Sequence, residues 1–219
     1  MKPTPSVLVL GSSSGIGAAC AELYAKNKSK VYLVSRTVGD LCGDLSDPNF
    51  RKSVVNLWQP QIVIATFGDW PSKNQSATSI FDLFTNSVID LFEQFEKKGG
   101  IDYFVVVSSL SAVTTVHPFM SIEQFHYLCA KRILSDFFTQ AQLYMKFKTK
   151  IILIEPGMIL TDFADIHERM KSPKSDDFLM RARVAPMPAD ELAQRIFDAT
   201  NSFEKRNQKI TLYNQSTTN

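Results

Sequence analysis

Residues 7–17 read VLVLGSSSGIG, four apolar residues running directly into three glycines and three serines. Glycine weakens regular structure, because it has more conformational freedom to lose on folding. A stretch this rich in glycine therefore marks a place where β-carbons are unwelcome. The apolar run reads as a buried strand over 6–10. From Gly15 onward, Ile16, Ala19, Cys20, Leu23 and Tyr24 recur at helical spacing, so a helix follows over 15–27. The glycines fill a turn from strand to helix.

The same alternation continues along the chain. Strands are expected at 31–35, 41–42, 62–66, 101–109, 151–155 and 209–213, and helices at 47–57, 79–98, 121–147 and 189–201. Asp47 is the N-cap of its helix and Pro48 its first residue. The strands are continuously apolar rather than alternating, which fits a parallel sheet covered on both faces. The expected fold is α/β: a Rossmann-like, doubly wound parallel sheet in three α/β/α layers and one domain. Residues 163–187 are polar, weakly periodic and carry Pro173 and Pro186. They read as a mobile insert, and residues 214–219 as a frayed end.

Composition narrows the function. The chain has 219 residues, 44% hydrophobic and 21% charged, with a net charge of +2. That is an ordinary globular balance, too weakly basic for a nucleic-acid partner. No run approaches the roughly 18 apolar residues needed to span a bilayer, and the apolar stretch before Gly11 is too short for a signal peptide core. Cys20, Cys42 and Cys129 show no metal spacing, and neither do the three histidines. The expectation is a cytoplasmic protein without membrane, metal or nucleic-acid partner.

In a doubly wound sheet, the turn after the first strand is where a dinucleotide pyrophosphate docks. Glycines let backbone N–H groups approach phosphate, and the helix N-terminus adds partial positive charge. Ser12, Ser13 and Ser14 add hydroxyl donors. The spacing is Gly11-x-x-x-Gly15-x-Gly17, not G-x-G-x-x-G. In "GSSSGIG" it resembles the short-chain dehydrogenase/reductase family, in a compact single-domain form. Four further motifs follow in that family's order: "FTNSV" with Asn86, "VVVSSLS" with Ser109, "YLCAK" with Tyr127 and Lys131, and "EPGMILTD". The resemblance spans residues 6 to about 200.

It implies an oxidoreductase that passes hydride between a nicotinamide and a carbonyl or alcohol carbon. Tyr127 would be the general acid in reduction and the base in oxidation. Lys131, one helical turn away, would lower the phenol pKa and hold the nicotinamide ribose. Ser109 would hydrogen-bond the substrate oxygen, with Ser111 as the rival and Ser108 structural. Asn86 would hold a relay water at a helix irregularity. Gly11, Ser13, Ser14, Gly15, Ile16 and Gly17 would cradle the pyrophosphate. Pro156 and Gly157, from the family's P-G-x-x-x-T, would also contact the cofactor, and Thr161 and the backbone at Ile159 match positions that orient the carboxamide. At the end of the second strand, where an acid would select NAD, stands Arg36. A guanidinium there suits a 2′-phosphate, so NADP(H) is preferred, with NAD(H) as the alternative cofactor. Asp44 and the backbone at Leu45 match the adenine position.

The chain also departs from the family. Only seven residues separate Arg36 from Asp44, so the usual helix there is absent. The family's N-A-G is replaced by Thr66-Phe67-Gly68, which keeps backbone access at Gly68, sets Phe67 against the adenosine and loses the sheet-stabilising Asn. Residues 112–125 and 163–187 are expected to line a partly apolar substrate pocket, with His117 and His126 nearby and 163–187 serving as a mobile lid. The 79–98 helix has more apolar residues than one sheet requires, from Ile80 through Phe95. With the 121–147 helix, it is expected to form a homodimer or homotetramer. Two other readings compete: a catalytically silent NADP(H)-binding sensor or scaffold, and a sugar-nucleotide epimerase or dehydratase, for which the chain is small.

Overall fold

The structure, a computed structural model, describes residues 4–68, 71–112, 121–157, 159–161, 187–202 and 207–212. Seven parallel strands form one sheet in the order β3-β2-β1-β4-β5-β6-β9. They are β1 Ser6–Leu10, β2 Lys30–Ser35, β3 Leu41–Cys42, β4 Ile62–Ala65, β5 Tyr103–Val107, β6 Lys150–Pro156 and β9 Gln208–Leu212. Order reverses between β2 and β4 on either side of β1, so a crevice opens at the carboxyl end of β1.

The two faces separate by strand alternation. Leu8, Leu10, Val63, Phe104, Val106, Ile151 and Leu153 face one way. They meet α2 (Pro48–Leu57), α4 (Ser87–Lys97) and α5 (Ile122–Tyr144). Val7, Val9, Ile62, Ile64, Val105, Ile152 and Ile154 face the other way. They meet α1 (Gly15–Lys26) and the helix Ala189–Asn201, here α6. This is the three-layer, single-domain arrangement expected from the sequence.

Local signals set the boundaries. The Asp47 carboxylate accepts the Asn49 amide at 2.8 Å, and Pro48 follows as the first helical residue. Ser121 and Gln124 form a reciprocal capping box that starts α5. Two differences are informative. The expected 79–98 helix is three pieces: α3 (Ala77–Phe81), a π-helical turn over Asp82–Asn86, and α4. A small parallel pair also joins β7 (Ile159–Leu160) to β8 (Met187–Pro188). Alternation over two residues is too short to be seen in sequence.

A third difference corrects the expectation of an exposed apolar face on 79–98. Ile80, Phe84, Val88, Leu91, Phe92 and Phe95 are all buried within the chain. Phe92 meets Phe104, Phe138 and Phe147 edge-on, with centroids 5.4, 5.3 and 4.9 Å away. The wide stripe is covered by β5, α5 and the segment after α5, not left for a partner.

The glycine turn is held as tightly as any part of the sheet. Gly11 has a left-handed φ of +89°, and its amide donates to Val34 O at 2.8 Å. A β-carbon on Gly17 would lie 2.1 Å from the Gly11 carbonyl oxygen and 2.7 Å from Thr66 Oγ1. Backbone cannot yield there cheaply. Gly17→Ala is therefore expected to destabilise the fold by on the order of 1–3 kcal/mol or more. Urea unfolding monitored by circular dichroism measures it, and an unchanged midpoint would contradict the packing described.

Candidate functional site

The motif residues gather at the carboxyl edge of the sheet because the strands are parallel. The first turn follows β1, Arg36 follows β2, Asp44 follows β3, Thr66 to Gly68 follow β4, Ser108 and Ser109 follow β5, and Gly157 follows β6. Parallel pairing brings these six strand ends side by side.

Within the glycine turn the serines divide. Ser12 is buried, and its hydroxyl donates to Val34 O at 3.3 Å, so it fastens the turn to β2. Ser13 and Ser14 are exposed. Ser14 is the extended N-cap of α1 and makes no side-chain bond to the helix, so its hydroxyl does not cap the first-turn amides. Thr161 packs against Gly15, where a β-carbon would meet Thr161 Cγ2 at 3.1 Å. The segment after β6 thus reaches the turn after β1.

Arg36 is exposed at the end of β2. Gly43 N donates to Ser35 O at 3.0 Å, which sets the start of the β3–α2 loop beside Arg36. Asp44 Oδ1 accepts the Ser46 amide at 2.8 Å, and Leu45 is buried. At the end of β4, the Thr66 hydroxyl and amide both donate to Leu10 O, each at 2.9 Å, and tie β4 to β1. The sequence reading gave Thr66 no such bond. Phe67 packs on the core and does not stand free.

The Tyr127–Lys131 pair is buried on α5. Ser109 hydrogen-bonds the Tyr127 side chain. Ser108 is structural as expected, sharing a bond with Ser135 at 2.7 Å and donating to Lys131 O at 3.2 Å. The side chain of Ser111, His117, Met158 and the proposed lid except Met187 lie outside the described residues. Met187 is buried and paired with Ile159, so the last residue of that segment is an anchor. Asn86 does not join the pair. It sits at the end of the π-helical turn but is exposed, and its amide donates to Asp82 at 2.8 Å. Thr85 is the residue that turns inward, donating to Ala130 O on α5 at 2.9 Å.

Phe84, part of the stripe expected to face a partner, is central. Its ring lies edge-on to Tyr127 at 4.9 Å, and the Lys131 ammonium sits 5.2 Å from its centroid. Gly68 makes the room, since a β-carbon there would meet Phe84 Cε1 at 2.3 Å. Lys131 Nζ donates to Val107 O at 3.1 Å.

Desolvation dominates the electrostatics of the pair. Burial pushes Tyr127 up to about 12, with the Ser109 bond opposing, and burial pushes Lys131 down to about 8. The amine is directed at a carbonyl and an aromatic face, while desolvation acts on both charged forms. Among the described residues no cluster of side chains could hold a metal.

The sequence matches no protein-family model and no curated protein. Solved structures do share its fold. One is a 3-alpha-hydroxysteroid dehydrogenase from a Pseudomonas species in complex with NADH, with TM-score 0.76 and 16% identity over 94% of this chain and 95% of that one. A short-chain dehydrogenase from Burkholderia cenocepacia in complex with NADP gives TM-score 0.77 and 17% identity over 97% of each chain. Levodione reductase gives 0.76 and 17% over 96% of each chain.

The Lys131 environment has a measurable consequence. Below pH 8 the amine is charged in folded and unfolded chains alike, so the cost of burying it is constant. Between its folded value of about 8 and the unfolded value of roughly 10.4, the unfolded chain binds more protons. Stability contributed at this site therefore rises with pH in that window, by up to about 1.4 kcal/mol per unit. The wild type should gain on Lys131→Met between pH 8 and 10 in urea unfolding. Taking the difference cancels the opposing effect of Cys20, whose thiol burial pushes up to about 12. A difference flat across that range would contradict a buried, desolvated ammonium.

Proposed function

We propose, for a chain with the fold of the short-chain dehydrogenases/reductases, that it is an NADP(H)-dependent oxidoreductase of the carbonyl reductase or alcohol dehydrogenase type acting on a small molecule. The observation that carries this reading is the buried Tyr127–Lys131 pair with Ser109 bonded to the phenol, at the crevice edge of a parallel sheet.

The residues present fit the cofactor. The first turn of α1 is not capped by the Ser14 hydroxyl, and Ser13 and Ser14 face solvent beside it. Gly11, Gly15, Ile16 and Gly17 would shape the pyrophosphate cradle. Arg36 would take a 2′-phosphate, with Asp44 and Leu45 at the adenine, and Phe67 and Gly68 flanking the adenosine and ribose. Pro156 and Gly157 would also contact the cofactor, and Thr161 and the backbone at Ile159 would orient the carboxamide. A nicotinamide bound there supplies or accepts the hydride.

Tyr127 moves the proton. At neutral pH the buried phenol is protonated, which suits it to give a proton to a carbonyl oxygen as the alcohol forms. Ser109 shares that hydrogen-bonding region and would donate to the same oxygen, stabilising the charge that develops on it. Lys131 would exchange its hold on Val107 O for the ribose hydroxyls, which brings positive charge toward the phenol. Asn86 faces outward, so any relay behind Lys131 must use other groups. That observation also favours a second reading, an NADP(H)-binding sensor without turnover.

Isothermal titration should show NADPH bound more tightly than NADH, and Arg36→Asp should flatten or reverse the preference. Across a screen of aldehydes, ketones, steroids and sugar ketones, Tyr127→Phe should keep NADPH affinity and lower turnover by on the order of 10²–10⁴-fold. Wild-type turnover in Tyr127→Phe would exclude this chemistry. Binding without reduction anywhere in the screen would favour the sensor.

Self-association as a homodimer or homotetramer is proposed on a revised surface. With much of the α4 stripe covered, the exposed apolar residues on α5 and just beyond it include Ile133, Leu143, Tyr144 and Met145. Ile133, Tyr144 and Met145 border a groove of about 910 Å³ between α4 and α5. Light scattering at micromolar concentration should give more than one chain's mass, and Ile133→Glu should lower it toward the monomer. We place the protein in a reducing compartment such as the cytoplasm, since Cys20, Cys42 and Cys129 are unbridged. No helix among the described residues is long and apolar enough to cross a membrane.

A further inference from the structure

One buried charge has no part in the chemistry above. Arg51 lies on the inward face of α2, in line with Val54 and Val55, and is 7% exposed. Burying a guanidinium is unfavourable unless its donors are satisfied and its charge is paired. Here both conditions are met by groups from separate elements. Arg51 Nε donates to Asp90 Oδ2 on α4 at 2.5 Å. Nη1 is shared among Leu45 O at 2.9 Å, Ser46 O at 2.9 Å and Ser87 Oγ at 3.1 Å. The opposite ends are anchored in turn. Asp90 also accepts from Gln94 at 2.8 Å, and Ser87 Oγ donates to Asp82 O in the π-helical turn at 2.6 Å.

The carbonyls of Leu45 and Ser46 belong to the loop between β3 and α2. That loop has little support from the sheet. β3 is two residues long and pairs with β2 at two positions. Only residues 36–40 connect β2 to β3, where parallel strands ordinarily need a crossover of about a dozen residues. The loop nevertheless starts beside Arg36, through the Gly43 N to Ser35 O bond, and contains Asp44. Besides the Asp47 N to Asp44 O turn bond at 3.0 Å and the burial of Leu45, its backbone is held by Arg51: Nε is fixed on Asp90 while Nη1 takes both carbonyls, and a lysine has no second nitrogen with which to form such a fork.

We propose that Arg51 is a positioning residue for the adenosine half of the dinucleotide: by clamping the Leu45 and Ser46 carbonyls against α4, it holds the Asp44–Leu45 backbone ready beside Arg36. The proposal rests on the cofactor reading above. It assigns Arg51 no contact with the cofactor and no part in proton transfer.

The probes are 2′,5′-ADP, which carries the adenosine half alone, and NADPH, each titrated calorimetrically into the full-length chain well below its unfolding temperature. Arg51→Met should weaken 2′,5′-ADP by about tenfold or more, the affinity cost of having to order a loop residue's backbone on binding. NADPH should weaken by the same factor, because the whole loss lies in the shared half. Arg51→Lys keeps the charge without the fork and should still lose at least about threefold; it decides the matter if Arg51→Met does not fold. Unchanged 2′,5′-ADP affinity in the variant that folds overturns the proposal. So does a loss on NADPH far larger than on 2′,5′-ADP, which would signal a general loosening of the site. A wild type that binds neither probe overturns the cofactor reading and this proposal together, whereas a wild type that binds both, beside an unaffected variant, overturns this proposal alone.

Discussion

The approach of α1 to the turn that precedes it governs the site. At Gly17 the helix backbone passes so near the Gly11 carbonyl and the Thr66 hydroxyl that no β-carbon fits. This contact fixes where α1 begins, and with it the direction of its first-turn amides. It also joins the two halves of the sheet at their reversal, because Thr66 is bonded to Leu10 O across the β1–β4 pair. The glycines were read as clearing space for a ligand. At Gly17 they clear it first for the protein's own backbone. The two purposes are linked, since a helix held at this distance is what presents its amides to the crevice.

Burial dominates the electrostatics of the Tyr127–Lys131 pair. One turn of helix places the side chains on a common face, and on spacing alone an ammonium would pull the phenol down. Dry packing reverses the order of effects. Phe84 shields both groups, and the ring face and the Val107 carbonyl give the ammonium modest compensation compared with water. The amine would need the negative or polar surface of a bound ligand to recover what it loses by burial.

The fold was legible in sequence because its strands are continuous apolar runs and its turns carry specific residues. β1 and the Ala189–Asn201 helix have the bounds expected, and the Asp47-Pro48 cap stands where it was read. Two things were not legible. A helix irregularity at Asn86 was implied by the resemblance and a π-helical turn ends there, but the pattern does not say which of its side chains turns toward α5, and that one is Thr85. The wide apolar stripe from Ile80 to Phe95 was assigned to a partner because periodicity counts apolar positions without saying what covers them. The role of Arg51 did leave a signal. An arginine three and four residues before Val54 and Val55 falls on the apolar stripe of α2, where a charge is costly unless something specific answers it.

The bonds made by Thr66 and Arg51 therefore have the same physical form. A sheet end needs its backbone groups paired, and a loop that receives a ligand needs its conformation fixed before binding; otherwise each association must order it anew. After β4, the Thr66 hydroxyl supplies a bond to Leu10 O. Ahead of α2, the guanidinium of Arg51 holds two successive carbonyls. In both places a side chain satisfies backbone carbonyls at the carboxyl edge of the sheet, where the ladder itself no longer does.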